Sequence, residues 1–193
     1  VMAYDSAATR ARLLDAAYDE FVGRGLAGAR VDRIATAAEA NKQAIYAYFG
    51  SKDALFDAVL DARLRVLADI VPFTPADLPD YAARLFDRFA EDPGLLRLTQ
   101  WKALEHPDAS DAELAAHLSK SAEVSEALGL DAERGMDALM IALAVAQAWS
   151  ITPPAIRTLG APHDDARRAR HRAAVIAAVR AYVETLEADG ITG

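Results

Sequence analysis

Between residues 41 and 52 the chain groups Asn41, Lys42 and Gln43, then Tyr46, Tyr48 and Lys52. These are residue types that read nucleic acid. Gln pairs bidentately with adenine, and Lys reaches guanine or phosphate. Tyr hydroxyls and a Lys further along can meet the sugar-phosphate backbone, which fixes register rather than sequence. Other chemistries find less to build on. Cysteine is absent, which excludes disulfide scaffolds, Cys-based zinc sites, iron–sulfur ligation and thiol catalysis. The four histidines, His106, His117, His163 and His171, show no Glu-x-x-His or His-x-x-x-His spacing, so no metal site is expected. There is no phosphate-cradling Gly loop and no nucleophile elbow. His163-Asp164-Asp165 reads as a helix start rather than a catalytic set. No catalytic residue is assigned and no cofactor is expected.

Such side chains need elements to hold them. Alanine occurs 45 times in 193 residues. Ala is the strongest helix former and β-branched residues are fewer, so an all-α fold is expected. No alternation of period two appears. The apolar periodicity predicts about nine helices. The first, from about residue 7 to 24, turns Leu13, Ala17 and Phe21 inward, and Gly25 is placed to end it in the left-handed conformation. A short helix over about 31–38 has Ile34, Ala35 and Ala38 on one face. A second short helix follows Asn41, a good N-cap, and places Ile45 and Phe49 inward. Ser51 caps a longer helix towards Ile70, stopped by Pro72 and Pro75. Longer helices follow. One carries Tyr81, Leu85, Phe86 and Phe89, and another Leu95, Leu98 and Trp101. One is opened by the capping box Ser110-Asp111-Ala112-Glu113, and one is capped by Asp131. The last runs from about Asp164 to Gly190. The segment from Pro153 to Pro162 reads as a connection.

Charge divides the chain. Lys and Arg total 21 against 29 Asp and Glu, a net of -8, which argues against coating nucleic acid along the whole length. Residues 1–52 hold seven basic and six acidic residues, a net of +1, whereas 53–193 hold fourteen and twenty-three, a net of -9. A polyanion is therefore expected to meet the first quarter of the chain. No membrane partner is expected. Residues 138–156 are uncharged and long enough to span, yet they include Gln147, Ser150, Thr152 and Pro153-Pro154 and lack basic flanks. They read as a helix buried on nearly all sides. Residues 1–12 lack the apolar stretch of a secretory signal, so a cytoplasmic location is expected.

Residues 31–52 form a helix-turn-helix pattern, two short helices joined by Glu39-Ala40-Asn41. The motif needs a small apolar first helix, a short turn, and a second helix whose N-terminal polar residues are free to enter a major groove. Ile34, Ala35 and Ala38 meet the first need, and Asn41, Lys42 and Gln43 the last. From spacing alone a helical hairpin with solvated polar residues fits as well.

The text of this segment adds to its spacing. Ile34-Ala35, followed by Asn41-Lys42-Gln43-Ala44-Ile45-Tyr46-Ala47-Tyr48-Phe49-Gly50-Ser51-Lys52, closely resembles the DNA-binding signature of the TetR/AcrR family of transcriptional regulators. Phe21-Val22-Gly23-Arg24-Gly25-Leu26 resembles the end of that family's first helix. The resemblance covers roughly residues 7–60. It implies a three-helix DNA-binding head over 1–52, an all-α effector-binding and dimerisation body over 53–193, and a homodimer on a palindromic operator in double-stranded DNA. It nominates Asn41, Lys42, Gln43 and Ala44 for base edges, and Arg30, Tyr46, Tyr48 and Lys52 for phosphates. Two positions depart from the pattern. Glu39 stands where the turn commonly has Gly, at a cost of about 1 kcal/mol if φ is positive there. Arg30 stands where a Ser or Thr commonly caps the second helix.

The body carries weaker signals. Tyr81, Phe86, Phe89, Trp101, Met136, Met140 and Trp149 could line an apolar cavity for a small hydrophobic effector, with Gln100, Glu105 or His117 as polar anchors. Aromatic and Met residues at helical spacing serve equally well as plain core. The uncharged helix and the last helix are the expected dimer contact, through Leu139, Leu143, Ala146 and Trp149 on one and Val175, Val179, Tyr182 and Leu186 on the other. The expected function is a ligand-responsive DNA-binding regulator, most simply a repressor, and not an enzyme. A helix-bundle enzyme would need a cluster of acids, bases or metal ligands that cannot be assembled from these residues. A DNA-binding protein without effector control differs only in its response to a small molecule.

Overall fold

The computed structural model describes residues 2–160 and 165–190. Among them every regular element is helical, as expected. Ten α-helices run in order: α1 Met2–Gly28, α2 Val31–Ala37, α3 Lys42–Phe49, α4 Lys52–Ile70, α5 Leu78–Glu91, α6 Pro93–Glu105, α7 Asp111–Leu128, α8 Ala132–Ile151, α9 Pro154–Arg157 and α10 Asp165–Gly190. A 3-10 turn, Pro75–Asp77, leads into α5. The helix beyond the expected nine is α9, a single turn within the segment read as a connection. Pro154 opens it, where a fixed φ suits the helix and the missing N–H has no intrahelical partner to lose. His163 and Asp164 lie outside the described residues.

Local signals set most of the helix starts. Asn41 Oδ1 accepts the Ala44 N–H at 2.8 Å, and Ser51 Oγ accepts the Ala54 N–H at 3.0 Å. Ser110 and Glu113 form the reciprocal capping box, and Asp131 accepts the Arg134 N–H at 2.9 Å. Gly25 departs from its expected conformation. Its φ is 69° but its ψ is 178°, a region open essentially to glycine alone rather than the left-handed helical well. It breaks α1 after Arg24 and lets α6 approach closely. A Cβ there would stand 2.8 Å from Glu105 Oε1 and 2.9 Å from the Trp101 ring.

The chain packs as two compact units. The first comprises the residues up to Asp69 together with Gly94–Asp108, and the second Ile70–Pro93 together with the residues from Ala109 on. The helix-turn-helix segment thus shares its unit with most of α4 and α6. In that unit Leu13, Ala17 and Phe21 of α1, Ile34 of α2, Ile45 of α3, and Leu55 and Phe56 of α4 are buried. Phe21 and Phe56 meet edge to face at 5.1 Å. In the second unit α5 buries Tyr81, Leu85, Phe86 and Phe89, and packs on α8 and α10. Small residues let these helices close up. Ala138, Ala142 and Ala146 lie fully inside on α8. A Cβ on Gly135 would overlap Ser125 Oγ of α7 and lie 2.9 Å from the Ser121 carbonyl oxygen. The uncharged stretch is therefore not, as expected, one helix buried on nearly all sides: α8 ends at Ile151, α9 follows, and α8 turns one face into a protein core while Met140, Ile141 and Ile151 stay exposed. Among the described residues no helix is long and apolar enough to cross a membrane.

Candidate nucleic-acid interface

The turn between α2 and α3 is closed from within. The Glu39 N–H donates to the Thr36 carbonyl at 3.2 Å and the Ala40 N–H to the Ala35 carbonyl at 3.0 Å. This is the paired bonding of a Schellman end, and it requires positive φ at the residue where glycine is usual. Glu39 has φ 50°. The strain expected of a non-glycine at this position is therefore present, on the order of 1 kcal/mol.

α3 then starts on the Asn41 cap. Ile45 is fully buried and anchors the helix. Asn41, Lys42, Gln43, Tyr46 and Tyr48 are exposed, and Ala44 is half-buried. Tyr46 keeps 47% of its surface and Tyr48 37%, so both rings remain largely open to a partner. The Asn41 carboxamide oxygen is taken by the cap, which leaves its NH2 as donor. Lys42 Nζ lies 2.9 Å from Asp32 Oδ1. The bond and charge of Lys42 hold the Asp32 carboxyl below its ordinary value, and Asp32 in turn raises the Lys42 ammonium. Lys42 thus already has an anionic neighbour on α2.

Lys52 is tied to backbone. Its Nζ donates to the Leu26 carbonyl at 2.7 Å and to the Ala29 carbonyl at 3.4 Å. An ammonium carries three donors, so one N–H remains. Arg30 precedes α2 without a side-chain cap, and its side chain is exposed.

Two positioning residues have no signature in the sequence. Glu20 of α1 accepts the Arg30 N–H at 3.0 Å and Arg33 Nε at 2.7 Å. Burial pushes its carboxyl up, but the Arg33 and Arg30 bonds and the nearby guanidiniums outweigh burial and hold it low. Glu20 thus satisfies the N–H of the N-cap residue Arg30, the part played by the carboxylate of a capping box, and does not supply the bond that a Ser or Thr cap would make. Arg12 Nε donates to the Ala38 carbonyl at 3.1 Å, which fixes the end of α2. Separations of 10, 13 and 26 residues follow no local rule.

The body residues divide between the units. Tyr81, Phe86 and Phe89 are buried in the second unit, Met136 is half-buried there, and His117 and Met140 are exposed. Gln100, Trp101 and Glu105 belong to the first unit. There Glu105 Oε2 accepts the Ala27 N–H at 2.8 Å, and Trp101 Nε1 donates to the Val22 carbonyl at 3.4 Å. The second unit alone therefore does not gather all the expected residues into one lining. On α8 and α10, Leu139, Ala146, Trp149, Val175, Val179 and Leu186 are buried within the protomer, and Leu143 and Tyr182 are half-buried. The exposed apolar residues of α8 are instead Met140, Ile141 and Ile151, with Ala144 beside them.

Comparison with known proteins places these features. The profile described as bacterial regulatory proteins, tetR family, matches residues 13–59. The profile described as tetracyclin repressor-like, C-terminal domain, matches residues 77–181. An HTH-type transcriptional repressor of Streptomyces coelicolor, SCO4008, is 38% identical over 165 residues, 81% of this chain and 85% of that one. The HTH-type transcriptional repressor NicS of Pseudomonas putida is 43% identical over 61 residues, 32% of this chain and 29% of its own. The crystal structure of SCO4942 from Streptomyces coelicolor aligns with a TM-score of 0.70 at 36% identity, over 86% of this chain and 96% of that one. A protein from Mesorhizobium loti shares the fold, with a TM-score of 0.58 at 24% identity over 91% and 96% of the two chains.

Proposed function

The chain belongs to the TetR family of transcriptional regulators, and from that premise we propose that it is a cytoplasmic, ligand-responsive repressor that binds a palindromic operator as a homodimer and leaves it on binding a small effector with a hydrophobic body. Membership makes it a DNA-binding transcriptional regulator and not an enzyme. The observation that carries the finer reading is the first turn of α3, capped by Asn41 and anchored by buried Ile45, with its polar side chains exposed.

In this reading Gln43 and Lys42 contact base edges, with the Asn41 NH2 and the Ala44 methyl beside them. Arg30, Tyr46, Tyr48 and the remaining Lys52 donor hold phosphates and set the register. Residues 1–52 serve as the DNA-binding domain and 53–193 carry effector binding and dimerisation. The exposed apolar side of α8, with Met140, Ile141 and Ala144, supports a contact between copies through α8 and α10, to which half-buried Leu143 and Tyr182 can contribute. A two-fold dimer sets its recognition helices about 34–36 Å apart, one DNA turn. The buried aromatic wall of Tyr81, Phe86 and Phe89 supports an effector with an apolar body. Effector and operator weaken each other reciprocally.

Selection of bound fragments from random DNA tests the reading. The expected result is a palindrome with half-sites one turn apart, and Gln43→Ala is expected to relax the base choice within each half-site. Failure to enrich any palindrome overturns it.

A further inference from the structure

The second unit leaves a group of buried polar atoms unanswered. Ser150 Oγ, Arg157 Nε and His171 Nε2 have no hydrogen-bond partner among the described residues. Two of the three gather at Trp149, and Ser150 is only its neighbour along α8. The Arg157 guanidinium lies 5.2 Å from its ring centroid and donates through Nη1 to the Trp149 carbonyl at 2.9 Å. The His171 ring lies 5.2 Å away. A second guanidinium, that of Arg167, sits 5.5 Å from the same indole. Phe86, buried on α5, completes the group at 6.2 Å from Trp149 and 5.8 Å from His171.

The charge around this group is one-sided. Among the described residues neither Arg157 nor Arg167 has a carboxylate within ion-pairing distance. Asp87 of α5 is already taken by Arg172 at 2.7 Å and Arg168 at 3.9 Å. Burial, and then the charge of Arg167, push His171 below its usual value, so its ring is neutral near pH 7. A neutral imidazole offers one N–H. A buried donor without an acceptor is unfavourable, and one acceptor-rich group placed among these atoms removes the deficit for more than one at once.

We propose that the Trp149 group is an oxyanion subsite. It takes the carboxylate or phosphate of a small organic effector whose apolar body lies against the Trp149 and Phe86 rings. The guanidiniums of Arg157 and Arg167 supply charge, Arg157 is held in place by its bond to the Trp149 carbonyl, and His171 supplies a neutral hydrogen bond. The proposal rests on the reading that a small effector controls DNA binding, and it names the polar end of that effector.

Calorimetric titration of the full chain with benzoate, phenyl phosphate and benzamide tests it. Benzamide has the same ring without the charge. The expected result is saturable binding of at least one anion, with benzamide weaker by about tenfold or more, the scale of a charge-assisted hydrogen bond. The stronger anion tells carboxylate from phosphate. Arg167→Met is expected to weaken the anion by about tenfold, and Arg167→Lys to keep part of it, with helical circular dichroism confirming that both fold. Saturable binding of neither anion overturns the subsite, as does equal binding of benzamide or an unchanged affinity in Arg167→Met. Operator release is read separately. Anions that bind but leave the operator occupied keep the subsite and break the effector reading. A neutral molecule that releases wild type and Arg167→Met alike keeps that reading and removes the subsite from it.

Discussion

The surroundings of α3 and of Trp149 treat their polar groups in opposite ways. Around α3, Arg33 is met by Glu20 and the Gly28 carbonyl, Lys52 by two carbonyls, Lys42 by Asp32, and the Asn41 oxygen by a backbone N–H. Around Trp149, two guanidiniums lie on an indole, and Arg157 Nε and His171 Nε2 have no partner among the described residues. The first arrangement is complete before any DNA arrives. The recognition turn is fixed by bonds inside the protein, and little ordering remains to oppose binding. The second leaves polar groups unbonded among the described residues. One region is built to hold a shape and the other to accept a group.

The largest test of this contrast falls on Glu20. Its carboxylate accepts from the Arg30 N–H and from Arg33, and its side chain is only 11% exposed. Glu20→Ala leaves the Arg30 N–H without its acceptor and the Arg33 guanidinium with only the Gly28 carbonyl. The expected loss is about 2 kcal/mol of unfolding free energy, read by urea denaturation, with operator affinity falling alongside because α2 loses its start. Glu20→Gln, which keeps an acceptor, is expected to fall between. A loss under about 0.5 kcal/mol, the range of ordinary surface changes, would mean that internal bonding is not what holds the first unit in shape.

A smaller effect of opposite sign is expected at Glu39. It is the one strained position in the turn, with φ 50°. Glu39→Gly should add about 1 kcal/mol of stability by removing the left-handed penalty. It also removes a carboxylate beside the recognition helix, so DNA should bind more tightly at low salt. Unchanged stability would show that the turn was not under strain.

These two residues also show what the sequence could and could not reveal. Glu39 stood out because its strain follows from one position and one backbone angle. Asn41, Ser51, Ser110 and Asp131 were readable for the same reason, since a cap bonds within three residues. Glu20 was not readable, because its partners lie 10 and 13 residues away on other elements. Glu105 and Trp101 were harder still, at separations of 78 and 79. Periodicity correctly put Leu139, Ala146 and Trp149 on α8 and Val175, Val179 and Leu186 on α10. It could not say that these positions are buried within one protomer. An apolar stripe is the same pattern whether it meets its own chain or a second copy.

The pH response gives a finer distinction. Burial and Arg167 hold the folded-state value of His171 below 6.5, so the unfolded chain takes up the proton first. Stability contributed by the neutral ring is full above pH 6.5 and is lost as pH falls through the lower folded value. The drop in urea midpoint between about pH 7.5 and 5.5 should therefore be smaller in His171→Gln than in wild type. Equal drops would place the titration elsewhere. An oxyanion at Trp149 should shrink the wild-type drop, because it favours the imidazolium that Arg167 disfavours.

The smallest expected change sharpens the contrast most, because the second unit contains its own control. Ser110 and Ser150 both belong to that unit. Ser110 Oγ accepts the Glu113 N–H at 3.2 Å in the capping box, whereas Ser150 Oγ has no partner among the described residues. Replacement by Ala removes the same oxygen from each. Ser110→Ala should lose about 1 kcal/mol, the usual value of an N-cap. Ser150→Ala should lie within about 0.5 kcal/mol of wild type, because a hydroxyl that makes no bond takes none away and its burial penalty disappears with it. Parallel urea titrations read both. If Ser150→Ala loses as much as Ser110→Ala, the Ser150 hydroxyl is bonded within the free protein. If it is neutral for stability but weakens benzoate or phenyl phosphate, the hydroxyl is kept at a site where only a ligand can use it.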